Sequence, residues 1–173
     1  MAKKNRKPTG RQKAETPQGG PPTPKPLSAP PGGPYLQMAF FCEKILTEAD
    51  GVTSFIRQVD RLTTAASGPG APAKMPTTNF TAFMAIVLKS GAAQGSAEVK
   101  LFRERPSGLR DADPLFTVTV FLEGAERGVG LYGPVNMTFE EAGLYWFDLY
   151  ADETLMTRMP IRVIYQRATA GSA

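Results

Sequence analysis

The 173-residue chain contains no histidine and a single cysteine, Cys42. Without histidine there is no Ser-His or Cys-His nucleophile pair and no imidazole ligand for a metal, and one thiol cannot form an intrachain disulfide. The sequence also has no GxxxxGK[ST] loop and no GxGxxG stretch after a predicted strand. We therefore predict a non-enzymatic protein with no catalytic residues, no metal site and no cofactor.

Long apolar runs are lacking as well. No run approaches the ~20 apolar residues of a membrane span, and the charged N-terminus is not followed by the apolar stretch of a secretory signal. Together with the single cysteine, these features predict a cytoplasmic protein without a membrane span, because disulfides are rare in reducing compartments.

The first 34 residues lack Ile, Val, Phe, Tyr and Trp and hold nine of the 16 prolines. Such a segment cannot bury enough apolar surface to offset the entropy of ordering, so we predict a disordered, basic, Pro- and Gly-rich arm over residues 1–34. Seven basic residues against one acidic residue give the arm +6, which leaves −2 for residues 35–173 of the total of +4.

Most of the arm's charge lies near its start. The candidate phosphate-binding residues there are Lys3, Lys4, Arg6, Lys7, Arg11 and Lys13. Phosphate contacts of this kind are salt-sensitive and independent of sequence, so nucleic acid is one partner that the arm predicts. The alternative is a solubilising spacer, since the arm has no aromatic side chain on which a base can stack.

Eight short apolar segments follow the arm, and several alternate with the period of two that is typical of strands. The predicted strands are Leu36–Leu46, Val52–Thr63, Asn79–Lys89, Ala97–Arg105, Phe116–Leu122, Val129–Phe139, Leu144–Tyr150 and Leu155–Val163. The second segment also has helical spacing, but its β-branched residues and its neighbours favour a strand. We expect an all-β fold, a single eight-stranded antiparallel immunoglobulin-like β-sandwich over residues 35–166, followed by a flexible tail over residues 167–173.

Two stretches carry a resemblance to a known family. The sequence AFFCEKIL at residues 39–46, followed by DGV at 50–52 and SFIR at 54–57, resembles the start of a family of small bacterial β-sandwich proteins of uncharacterised function. The sequences GLY at 143–145 and PIRV at 160–163 are similar to that family's last hairpin. The resemblance implies the fold and no catalytic residue, and it leaves out the arm.

The last hairpin also predicts a contact surface. If Tyr145, Phe147 and Leu149 point inward and residues 152–154 form a three-residue connection, Asp148 lies opposite Arg158. The candidate interface residues on the outer face are then Leu144, Trp146, Tyr150 and Met156. Outward aromatic and Met side chains favour a protein interface, although a loop or the start of the arm covering them is an equal alternative.

The first strand presents Met38, Phe40 and Cys42 on one face, which we expect to point inward with Cys42 as a small core residue.

The leading functional hypothesis is a binding or scaffold module that docks a protein partner, or itself as a homo-oligomer, while the arm adds electrostatic contacts. The alternatives are a nucleic-acid-associated protein that uses the arm and a coat- or assembly-type structural subunit.

Overall fold

The computed structural model describes residues 32–168, and every regular element in that range is a β-strand. The strands are β1 (Tyr35–Thr47), β2 (Thr53–Gln58), β3 (Arg61–Ser67), β4 (Thr78–Glu104), β5 (Phe116–Phe139), β6 (Gly143–Ala151) and β7 (Thr154–Ala168). The prediction of an all-β chain is confirmed, and so is the preference for strand over helix after Gly51. The predicted arm, residues 1–34, lies outside the described range except for residues 32–34, and residues 169–173 of the predicted tail also lie outside it.

The structure has seven strands where eight were predicted. The small residues at 90–96 predicted a break, but they bend one continuous strand, β4, whose register against β5 shifts between Lys89 and Gly91 and again between Gly91 and Gln94. Bulges of this kind turn a strand without ending its pairing. The facing strand β5 is continuous through the same bend.

The predicted second strand is divided instead. The backbone N–H of Val59 still donates to the carbonyl of Phe41 in β1, at 2.7 Å, whereas the carbonyl of Asp60 accepts from the N–H of Arg162 in β7, at 2.9 Å. The chain therefore leaves β1 and joins β7 within two residues, and its continuation becomes β3.

The hydrogen-bonded strands form one mixed sheet in the order β2-β1-β4-β6-β7-β3, with β5 paired to β4. All neighbours are antiparallel except β3 and β7, so the purely antiparallel expectation is wrong for this pair. Parallel neighbours need a long connection, and here it consists of residues 68–153, which include β4, β5 and β6. The first half of β4 lies between β1 and the second half of β5, and its second half lies between β6 and the first half of β5.

One hydrophobic cluster receives side chains from both halves of this bent sheet. The rings of Phe41 in β1 and Phe147 in β6 meet edge to face with centroids 5.0 Å apart, although the two strands are not hydrogen-bonded to each other. The largest fully buried side chains are Tyr145, Phe41, Phe139, Phe147, Ile86, Leu88 and Leu101. Strands that are not hydrogen-bonded to each other thus contribute side chains to one shared core.

The inward face of β1 differs from the prediction. Phe41 is the side chain that enters the core cluster, whereas Phe40 is half-buried and contacts Phe55 at a centroid distance of 5.1 Å. Cys42 is fully buried, as expected, but lies outside that cluster. The five consecutive apolar residues from Met38 to Cys42 conceal the phase of the strand, because either alternate set can face inward.

Candidate protein-binding surface

Strand β6 presents opposite faces to the core and to the outside. Tyr145, Phe147 and Leu149 are each at most 1 % exposed, which confirms the prediction that these three point inward. Trp146 and Tyr150 point the other way and are half-buried. Their cover therefore comes from neighbouring side chains on the outer face.

The two strands beside β6 supply these neighbours. Asp148 of β6 lies between Phe102 of β4 and Arg158 of β7 in register, so the predicted pairing of Asp148 with Arg158 is confirmed. Trp146, one row further, lies beside Glu104 of β4.

Arg158 is held by two carboxylates over the indole ring. Its Nε donates to Asp148 Oδ1 at 2.7 Å, and its Nη2 donates to Glu104 Oε2 at 2.7 Å. Its guanidinium carbon is 5.1 Å from the ring centroid of Trp146, within the range of a cation–π contact. The hydrogen bond to Asp148, which is 5 % exposed, is the main cause that raises the pKa of Arg158 above its ordinary value. The guanidinium is therefore charged and fixed in place.

A second arginine comes from the loop after β4. The guanidinium carbon of Arg110 lies 4.1 Å from the ring centroid of Phe102 and 4.9 Å from that of Tyr150. Its Nη1 donates to the Tyr150 hydroxyl at 3.1 Å, and the two rings meet edge to face at 5.9 Å. Across residues 32–168, no carboxylate oxygen lies within 4.0 Å of this guanidinium.

These contacts define one outer surface. We call it the aromatic–arginine surface, and it consists of Phe102, Arg110, Trp146, Tyr150 and Arg158. The sequence predicted its two β6 members but missed Phe102 and Arg110. Phe102 lies on the opposite face of β4 from its buried neighbours Leu101 and Arg103. Its position beside Tyr150 follows only from the pairing of Phe102 with Asp148 of β6. Arg110 lies in a loop without periodicity, so no signal in the sequence indicated it.

The other two predicted interface residues lie differently. Leu144 is half-buried beside Arg162 of β7. Met156 packs against the hydrophobic core, because the β6–β7 register shifts between Leu149 and Tyr150 and Tyr150 then pairs with Leu155. The connection has two residues, Asp152 and Glu153, rather than the predicted three.

A separate set of ion pairs lies at the end of β4. Arg103, 9 % exposed, donates to Asp111 Oδ2 and to the carbonyl of Thr138. Arg105 bonds Asp111 Oδ1 at 3.3 Å and Glu140 Oε2 at 2.6 Å, and Glu140 is the main cause that raises the pKa of Arg105. These two arginines are engaged within the fold and cross-link the loop after β4 to the end of β5.

Within residues 32–168, no group of three or more His, Cys, Asp or Glu side chains is arranged to hold a metal ion. Burial raises the pKa of the Cys42 thiol, which keeps it protonated and therefore a poor nucleophile at neutral pH. No helix in the described range is long and apolar enough to cross a membrane. The candidate phosphate-binding residues Lys3, Lys4, Arg6, Lys7, Arg11 and Lys13 lie outside that range.

Comparison with known proteins adds no relative. No family model matches the chain, and no curated protein has significant similarity to it. The resemblance to small bacterial β-sandwich proteins therefore stays a prediction.

Proposed function

We propose that the chain is a non-enzymatic binding or scaffold module that docks a protein partner on the aromatic–arginine surface. The observation that carries this proposal is the gathering of three aromatic rings and two guanidinium groups on the outer side of β4, β6 and β7, opposite the core. Aromatic residues and Arg are enriched at the centres of protein interfaces and among the residues that dominate binding energy.

The geometry of the two arginines supports this use. Arg158 is already held by Asp148 and Glu104, so binding costs little of its side-chain entropy. Arg110 rests on Phe102 and Tyr150 and has its guanidinium edge available for a carboxylate. The partner that fits is an apolar protein surface that carries an acidic side chain.

The proposal includes the two-layer, immunoglobulin-like arrangement expected from the sequence. It is supported by the contact between Phe41 and Phe147 and by the bend of β4 and β5, since strands that pass between packed layers do so at bulges. It also includes a cytoplasmic location, for which the single, buried cysteine is the support.

The test uses the only tryptophan as probe and as target. Binding of the partner to the wild-type chain should change the emission of Trp146, and Trp146→Ala should weaken capture about 30-fold, the equivalent of about 2 kcal/mol at a central interface residue. Tyr132→Ala is the matched control, because Tyr132 is a 45 % exposed aromatic residue of β5 that pairs with Ala85 in the first half of β4, whereas β6 pairs with the second half. A large loss of thermal stability in Trp146→Ala would contradict the proposal, since the indole would then act as a core residue.

The charge requirement has its own test. Arg110→Gln should reduce capture of an acidic partner and its salt dependence, whereas Arg61→Gln, an exposed arginine of β3, should change neither. Equal effects of the two substitutions would indicate general electrostatic attraction instead of a specific contact.

The arm's charge of +6 favours a second candidate, a nucleic-acid-associated protein. Replacing Lys3, Lys4, Arg6, Lys7, Arg11 and Lys13 by Gln should lower the slope of log affinity against log salt on duplex DNA, by about 0.9 for each phosphate that the arm no longer neutralises. Unchanged binding would rule this candidate out. A coat- or assembly-type subunit is a third candidate, and a strictly monomeric chain at high concentration would count against it.

A further inference from the structure

Among residues 32–168, strand β5 forms an open edge of the sheet along its whole length. It pairs with β4 on one side, and no other strand of the described range pairs with it. Open edges attract other strands, and proteins usually guard them with short length, charge or proline. The other two edge strands, β2 and β3, have only six and seven residues.

Most of β5 contains charged residues or proline, which discourage strand pairing at an edge, but its first seven residues do not. The second half contains Pro134, and the bend contains Glu123, Glu126 and Arg127. The segment Phe116–Leu122 has the sequence FTVTVFL, with no charge, no proline and strong β propensity. Its Phe121 is 68 % exposed, the highest value among the exposed large hydrophobic side chains of the structure.

The hydrogen-bond pattern shows which backbone groups of this segment point outward. The carbonyl of Glu98 accepts from Asp152 beside β6, whereas the carbonyl of Leu101 accepts from Leu115 on the β5 side. Because the directions of the backbone N–H and C=O groups alternate along a strand, those of Leu101 and Val99 point to β5. The backbone groups of their partners in β5, Phe116 and Val118, point back to β4. The N–H and C=O groups of Thr117, Thr119 and Phe121 therefore point to the open edge.

The core is also incomplete at this edge. A cleft of about 370 Å³ opens between the two halves of β5 and is lined by Phe116, Val118, Leu131 and their neighbours. These three side chains pack against the core cluster but are only partly buried. A further strand alongside β5 would cover them.

We propose that the Phe116–Leu122 edge is a homodimer interface, in which two copies pair their β5 strands antiparallel about a twofold axis at Thr119. This register sets Thr119 opposite its own counterpart and Thr117 opposite Phe121, so all three outward-pointing residues join the ladder. Phe121 gains a β-branched neighbour, and Val118 faces Val120. A second copy fits because the segment is uncharged and meets itself without like-charge repulsion. Each copy uses the same edge, so the pair closes at two.

The test compares charge variants of the full-length chain by sedimentation equilibrium. The wild type should reach twice the 18.7 kDa chain mass, and Thr119→Lys should remain at the monomer mass. Thr63→Lys, the same substitution at an exposed threonine of β3, should leave the dimer intact. Mixing Thr119→Lys with Thr119→Asp should restore the dimer, because the two charges then face each other across the axis.

Hydrogen exchange provides an independent readout on the wild type. The amides of Thr117, Thr119 and Phe121 should be protected at high concentration and lose at least tenfold of that protection on dilution. A wild type that is monomeric at high micromolar concentration overturns the proposal. Protection that does not change on dilution also overturns it, because the occupant would then be another segment of the same chain, and so does a dimer that Thr119→Lys leaves unchanged.

Discussion

The packing of Phe147 against Phe41 gives the sharpest test of the shared core. Phe147 is fully buried, and its ring lies edge to face against Phe41 from a strand to which it is not hydrogen-bonded. Truncating a buried Phe to Ala costs about 3–5 kcal/mol, because the ring's apolar packing is removed and a cavity remains. Against a total stability of about 5–15 kcal/mol, Phe147→Ala should remove at least about a fifth of the free energy of unfolding.

Urea denaturation followed by circular dichroism measures this loss. Leu109→Ala is the control, since Leu109 is 62 % exposed and its truncation should change stability by less than about 0.5 kcal/mol. A double-mutant cycle with Phe41→Leu and Phe147→Leu should give a coupling of about 0.5–1.5 kcal/mol, as expected for an aromatic pair. A coupling indistinguishable from zero would refute the claim that the two strands meet in one core.

Two further predictions concern charge. Asp111→Ala should lower the free energy of unfolding by about 3 kcal/mol, because it leaves the largely buried Arg103 without its carboxylate. Glu140→Ala should lower it by at most about 1 kcal/mol, because the Arg105–Glu140 pair is exposed. Equal losses in urea denaturation would contradict this difference. Burial raises the pKa of Cys42, so the unfolded chain releases the thiol proton first, and stability should fall as pH rises above the ordinary thiol value of about 8.5. Cys42→Ala should flatten this slope above about pH 8.5, and an unchanged slope would assign it to other groups.

Much of the strand content could be predicted from the sequence, because alternating apolar residues have a clear phase where one face is buried. The segment from Leu144 to Val163 is the best case, and the pairing of Asp148 with Arg158 followed from it. The same approach failed at residues 90–96, where Gly and Ser residues end strands in many proteins but bend one here. Composition alone does not distinguish a turn from a bulge, since both need small residues.

Only part of the candidate surface could be predicted, because side chains from different strands come together through register. Trp146 and Tyr150 followed from alternation within one strand. Phe102 required the β4–β6 pairing, and Arg110 required the path of an irregular loop. Met156 was assigned to the wrong face because one register shift reverses the side on which a residue lies.

The parallel pair of β3 and β7 has a consequence for synthesis. Arg61 pairs with Arg162, so β3 can meet its partner only after the chain has been synthesised 101 residues further, to position 162. Contacts of such high sequence separation slow folding, because loop closure must precede any gain from the contact. During synthesis the nascent chain therefore holds β3 without its hydrogen-bonding neighbour until β7 has been made, and β7 then pairs with β3 as its parallel partner.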